Sequence, residues 1–139
     1  MRARADRMFL GGVDAVIAPL CAPLGAGARI AVVGARDAHE EALYALHLEA
    51  RGLDVARLMP DEFARVAALR RAAIARRPAD AAADPRALAA ALAPPRAEAL
   101  LVVCPWISMA LRREPIDARV LDAAEGLAAL QAAWAMAPI

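Results

Sequence analysis

The chain has 139 residues, enough for one domain with a buried core, and 61% of them are apolar, largely because alanine is common. All 17 basic side chains are arginine, and a formal net charge of +1 gives no electrostatic reason to expect a nucleic-acid partner. No apolar stretch reaches the length of a bilayer span, so we expect no membrane association and a cytoplasmic location.

For residues 1–27 we expect a helical or irregular N-terminal segment. It precedes an α/β domain that we expect over residues 28–139. The segment begins with arginines followed by an apolar run, which resembles a signal peptide superficially, but Asp14, Pro19 and Pro23 interrupt the run. Proline removes a helical hydrogen bond, so the two prolines fit a helix interior badly.

The first predicted strand covers Ala28–Gly34, a β-branched run that ends in glycine. Asp37 is positioned to cap the following helix, Glu40 to complete a capping box, and Gly52 to end the helix. Three apolar side chains share one face of that helix: Leu43, Leu46 and Ala50.

The chain then continues to alternate strand and helix. Leu53–Met59 predicts a second strand, Pro60–Ile74 a helix, and Asp84-Pro85 the start of a short helix with its leucines, Leu88 and Leu92, facing inward.

The most buried predicted strand is Glu98–Cys104. Met109–Asp117 is expected to be a polar connection, Ala118–Leu121 a short last strand, and residues 122–138 a closing helix.

Strands that alternate with helices predict an α/β fold with a parallel sheet between two helical layers. We expect a flavodoxin-like three-layer αβα sandwich with strand order 2-1-3-4. In that order the chain reverses direction between the first and third strands, and ligands bind at the carboxyl ends of strands at such a point.

The residues after those two strands are therefore the candidate site: Arg36 and Asp37 on one side, and Cys104, Pro105 and Trp106 on the other. A nearby helix N-terminus favours negative charge, so a thiolate at Cys104 could act as a base or nucleophile. The alternative is that Cys104 is an apolar residue at a strand end, as free cysteines commonly are. Trp106 would either fill the cleft or stack on an apolar ligand.

Two further side chains have alternative interpretations. His39, in the first turn of its helix, could face a ligand as an acid or base, or point into solvent. Asp122 could point into the cleft or cap the final helix. No metal site is expected, because His47 does not follow His39 at the one-turn spacing of paired zinc ligands. DAHEEA is also similar to the Asp-x-His-x-x-Gly loop of cobalamin-binding domains, whose histidine ligates cobalt, and this is the least favoured alternative.

Three stretches follow one another in the order RIAVVGARDAHEEALYALHLEARGLDVARLMPDEF, EALLVVCPWIS and IDARVLDAAEGLAALQAAW. Together they resemble the C-terminal half of the aspartate/glutamate racemase superfamily over about Ala28 to Trp134. The most specific positions of the resemblance are Tyr44, Cys104 and Asp122.

The resemblance implies a cofactor-independent enzyme in which two cysteines face each other across a small carboxylic acid. One cysteine removes the α-proton and the other returns it to the opposite face. Cys104 matches the second of them. The chain departs from the family pattern where Pro105 and Trp106 replace a threonine and a glutamate, and Asp37-Ala38 replaces a Gly-Thr pair of the substrate loop.

Cys21 could match the other family cysteine, but only a few residues separate it from the first strand, which favours a structural role. A single racemase-like lobe would complete a two-sided cleft as a homodimer or with another subunit. The expected function is α-carbon proton transfer by Cys104, as in an isomerase or a related lyase. A non-catalytic relative that binds a small ligand or a partner subunit is the alternative.

Overall fold

Four short apolar runs pair into one parallel sheet: β1 (Arg29–Val33), β2 (Asp54–Val55), β3 (Ala99–Val102) and β4 (Val120–Asp122). The strand order is β2-β1-β3-β4, which confirms the predicted topology. The computed structural model describes residues 15–78 and 80–125. The predictions for residues 1–14, and for the closing helix beyond residue 125, lie outside the described residues.

Helices connect and flank these strands: α1 (residues 15–21), α2 (Ala38–Ala50), α3 (Pro60–Ile74), α4 (Pro85–Leu92) and α5 (Pro105–Arg112). Residues 123–125 are also helical. Pro19 lies within α1 on its exposed side, although proline was expected to fit a helix poorly. In the described ranges, no helix combines the length and the hydropathy needed to cross a membrane.

Alternate side chains of each strand supply two separate cores. Ile30 and Val32 of β1 pack with Leu101 of β3 under α1 and α2, whereas Ala31 and Val33 pack on the other face. That second face is covered by α3, α4 and α5. Right-handed crossovers require this division, because the chain moves one way from β1 to β2 and the opposite way from β2 to β4.

Local signals fix the helix ends. The amide of Glu40 donates to Asp37 Oδ1 at 2.9 Å, which confirms the predicted N-cap. The Glu40 carboxylate does not close a capping box but pairs with Arg36. Gly52, with a φ of +78°, follows the last turn of α2, and Leu53 N donates back to Leu48 O at 3.1 Å, as in a glycine-ended helix.

Two predictions of element type and length are wrong. The stretch predicted as a polar connection contains the second half of α5, a helix whose Ile107, Ser108 and Leu111 recur on one side and are buried. The second strand is only two residues long. The chain leaves the sheet there because the amide of Leu58 donates to the buried carboxylate of Glu41 at 3.0 Å instead of to a strand.

The buried side of α2 is also not the predicted one. Leu46 is 58% exposed, and the buried side chains of the helix are Glu41, Tyr44, Ala45 and Leu48. Glu41 is buried because it bonds the chain after β2 and lies 3.7 Å from Arg57. The hydrogen bond and ion pair of Glu41 therefore determine which side of α2 faces the core.

Arg96 ties the loop before β3 to the start of α3 and to the outer edge of β2. Its guanidinium pairs with the carboxylate of Glu62, with a distance of 2.9 Å from Nη2 to Oε1. Glu62 also accepts a hydrogen bond from the Met59 amide at 2.8 Å. Arg96 Nη2 donates further to the carbonyl of Arg57 at 3.2 Å.

Candidate functional site

Cys104 lies between β3 and α5, at the edge of the sheet where the strands have their carboxyl ends. The pairing of β1 with β3 continues one bond further, since the Val103 amide donates to Val33 O at 2.9 Å. Cys104 then has extended backbone and is the N-cap residue of α5. Its thiol is free and partly buried, and the side chain packs on the face covered by α3 and α5.

Gly34 is in direct contact with Cys104. A Cβ built on Gly34 would lie 2.7 Å from Cys104 Cβ and 2.9 Å from Cys104 N, both closer than atoms pack. The φ of Gly34 is +114°, a conformation that side chains other than glycine rarely adopt. The ends of β1 and β3 therefore approach as closely as they do only because residue 34 has no side chain.

Arg70 reaches the same position from α3. Its Nη2 donates to the carbonyl oxygen of Gly34 at 2.6 Å, across 36 residues of sequence. The arginine is partly buried. Sequence reasoning missed this residue, although Arg70 follows Phe63 and Val66 at helical spacing and so belongs to the inner side of α3.

Tyr44 of α2 is a second residue near the site that was not among its predicted members. Burial raises the pKa of Tyr44 to about 12, with smaller contributions from the negative charge of Glu40 and of an ionised Cys104. Tyr44 packs in the core on the face of the sheet covered by α1 and α2. The resemblance had already singled out Tyr44, and this was the signal that could have included it.

The three residues predicted after β1 lie at the start of α2. Asp37 is the N-cap residue and is exposed, and its Oδ1 is used by the Glu40 amide. The Arg36 side chain is 81% exposed, with its Nε 2.9 Å from Glu40 Oε2. His39 is exposed in the first turn of the helix. All three therefore face solvent at the same edge of the sheet as Cys104.

Pro105 and Trp106 form the first turn of α5 directly after Cys104. Pro105 occupies the first helical position, where its missing amide hydrogen costs nothing. Trp106 is 39% exposed, and Met109, three residues further along the same helix, is 40% exposed. The rim of the site next to Cys104 is thus partly apolar.

Asp122, at the end of β4, is buried and fully engaged. Its Oδ1 accepts hydrogen bonds from Ser108 Oγ at 2.7 Å and from the Ala124 amide at 2.9 Å. The guanidinium of Arg112 pairs with its Oδ2. These contacts correspond to the capping interpretation, because the carboxylate holds the start of the helical segment at residues 123–125.

Cys21 lies away from this edge of the sheet. It is 4% exposed and packs in the core between α1, α2 and the sheet. Burial raises the pKa of the Cys21 thiol, which the positive charge of Arg51 partly offsets. These features fit the structural role that the sequence favoured.

Cavities elsewhere in the described chain are open and partly charged. A cavity of about 510 Å³ lies along the edge of β2, lined by Arg29, Glu49, Asp54, Val55, Ala56, Arg57 and Arg96. Within residues 15–78 and 80–125, no three His, Cys, Asp or Glu side chains are grouped so that they could hold a metal ion.

Comparison with known proteins gave no relative from which to infer function. No protein-family model, no curated protein and no solved structure matches this chain.

Proposed function

We propose that this protein binds a small carboxylic acid at the carboxyl ends of β1 and β3 and moves a proton at its α-carbon, with Cys104 as the acid/base. The observation that carries the proposal is the partly buried free thiol in contact with Gly34, next to the first turn of α5. Ligands of doubly wound sheets bind at this position. The resemblance to the racemase superfamily supports the same assignment.

The proton transfer consumes no co-reactant besides the acid and the thiol. The thiolate of Cys104 takes the α-proton, and the electron pair of the broken C–H bond delocalises into the carboxyl group of the substrate. The resulting thiol then returns a proton to the same carbon. In heavy water the thiol exchanges its proton with solvent, so the acid acquires deuterium at the α-carbon.

A single base acts on one face of the substrate. Inversion needs a second base on the other face, and Cys21 is buried in the core on the side of the sheet covered by α1 and α2. We therefore expect deuterium exchange with retention from one copy of the chain. Inversion is expected only where a second copy, or another subunit, faces Cys104.

Proton NMR in heavy water tests the proposal with a panel of small α-amino, α-hydroxy and dicarboxylic acids. We expect loss of the α-proton signal for at least one acid with the unmodified chain and with Cys21→Ser. Cys104→Ser should lower that rate by about 100-fold or more, the usual contribution of a positioned acid/base. Equal exchange with Cys104→Ser, or no exchange for any acid, would refute the proposed chemistry.

A non-catalytic role is the second candidate, favoured by the exposed Trp106 and Met109 beside Cys104. Their apolar surface suits the body of a ligand, since binding sites combine apolar walls with few polar groups. In that case the acids of the panel would bind without exchange. Binding would change the fluorescence of the unmodified chain but not that of Trp106→Phe.

A further inference from the structure

Arg70 is partly buried, and no carboxylate in the described part of the chain pairs with it. Its one hydrogen bond among residues 15–78 and 80–125 goes to the carbonyl of Gly34. A guanidinium has five N–H donors and is always charged. Several donors are therefore left for an acceptor that the described residues do not provide.

Other arginines of the chain have different surroundings from Arg70. Five of them have acidic partners among the described residues: Arg36 with Glu40, Arg57 with Glu41, Arg86 with Glu114, Arg96 with Glu62, and Arg112 with Asp122. The neighbour of Arg70 on α3, Arg71, is exposed to solvent. Arg70 is instead held against the end of β1, where desolvation makes an anionic partner more favourable.

The position of Arg70 relative to Cys104 follows from their shared neighbour. Gly34 accepts the hydrogen bond of Arg70, and its Cα lies against the backbone and Cβ of Cys104. The hydrogen bond from Arg70 to Gly34, the covalent bonds within Gly34 and the contact of Gly34 with Cys104 together limit the distance between Arg70 Nη2 and Cys104 Cβ to about 9 Å. Cys104 and α3 also lie on the same face of the sheet. A carboxylate on the guanidinium would bring its α-carbon towards the thiol.

We propose that Arg70 binds the carboxylate of the substrate and so sets the distance of its α-carbon from Cys104. This inference rests on the proposed function, because it names the group that would hold the acid for the thiol. Arginine suits the task, since its planar fork matches both oxygens of a carboxylate. Its hydrogen bond to Gly34 keeps the fork in one orientation at the end of β1.

Two alkylating reagents of nearly equal size test the proposal without knowledge of the substrate. Iodoacetate carries a carboxylate and iodoacetamide a neutral amide. With either, the Cys104 thiolate attacks the CH₂ carbon, a C–S bond forms, the C–I bond breaks and iodide leaves. Mass spectrometry gives the rate at each of the two cysteines, and buried Cys21 serves as the internal reference.

We expect Arg70→Ala to lower the ratio of the iodoacetate rate to the iodoacetamide rate at Cys104 about tenfold, the value of one charge-assisted hydrogen bond. The ratio cancels any change in the reactivity of the thiol itself, because both reagents are attacked by the same thiolate. Arg71→Ala removes the same charge from the exposed side of the same helix and should leave the ratio unchanged. Arg70→Lys should give an intermediate ratio, because it keeps the charge without the fork.

The outcomes separate the two proposals. If Cys104 reacts readily with iodoacetamide and the ratio is the same with Arg70→Ala, the role of Arg70 is wrong while the site at Cys104 stands. If both rates fall together with Arg70→Ala, Arg70 orders the thiol rather than the acid, which also overturns the inference. If Cys104 is as slow as Cys21 with both reagents, the site is closed and the proposed function fails with it.

Discussion

Replacing Gly34 by alanine probes the approach of β1 to Cys104 most directly. The new Cβ would lie 2.7 Å from Cys104 Cβ and 2.9 Å from a backbone nitrogen that cannot turn away. Overpacking of this kind costs about 1–3 kcal/mol. A φ of +114° adds about 1–3 kcal/mol for a residue with a side chain. Together these two costs lead us to expect that Gly34→Ala lowers the free energy of unfolding by about 2–6 kcal/mol.

Two other glycines separate the cost of the close contact from the cost of the positive φ. Gly52 has a φ of +78° but open space around its Cα, so Gly52→Ala should cost only the backbone term, about 1 kcal/mol. Gly25 has neither constraint, and Gly25→Ala should be neutral or stabilising by up to about 1 kcal/mol. Urea denaturation of the three variants measures each value. If Gly34→Ala costs no more than Gly52→Ala, the two strand ends do not meet as described.

Two predictions concern pH. The guanidinium of Arg96 holds the pKa of Glu62 below its usual value, although burial opposes this shift. The pair therefore stabilises the folded state at pH values above 4.5, the pKa of the unfolded carboxyl. This stability is lost as the pH falls through the lower pKa of the folded state. Urea midpoints measured down the acid range should fall less steeply for Arg96→Met than for the unmodified chain, and parallel slopes would contradict this. The chain has one tyrosine, so the absorbance of tyrosinate reports Tyr44 alone and should appear near pH 12 in the folded protein. Because the unfolded phenol ionises near pH 10, stability should decline from pH 10 to 12, and Tyr44→Phe should make that decline shallower; absorbance rising near pH 10 in folded protein would refute the burial of the phenol.

The order of the strands could be predicted because each signal was local and strong. Apolar runs such as Ala28–Gly34 and Glu98–Cys104 have few alternatives, and crossover handedness then leaves few topologies. The two ends of α2, at Asp37 and Gly52, could be predicted equally well. One side chain determines the first end, and one residue with a positive φ determines the second. Such features need no knowledge of the rest of the molecule.

The misread elements are those decided by distant partners. In alanine-rich α2 the periodicity fits more than one rotation, and the hydrogen bond from Leu58 to Glu41 selects the one that exposes Leu46. In α5 the buried pattern spans only eight residues, too few to stand out beside two arginines and a proline. Helical spacing from Phe63 and Val66 places Arg70 rather than Arg71 on the inner side of α3, but its contact with Gly34 depends on the packing of α3 against the sheet.

The hydrogen bond from Arg96 to the carbonyl of Arg57 also affects whether copies of the molecule associate with one another at high concentration. β2 is an outermost strand of the sheet, and unpaired backbone groups of such strands are templates for self-association. Here the strand is two residues long, the carbonyl of Arg57 two residues beyond it is occupied, and arginine side chains line the border. An arriving strand would have to displace a guanidinium anchored by Glu62, so this flank of the fold resists fibril-like stacking.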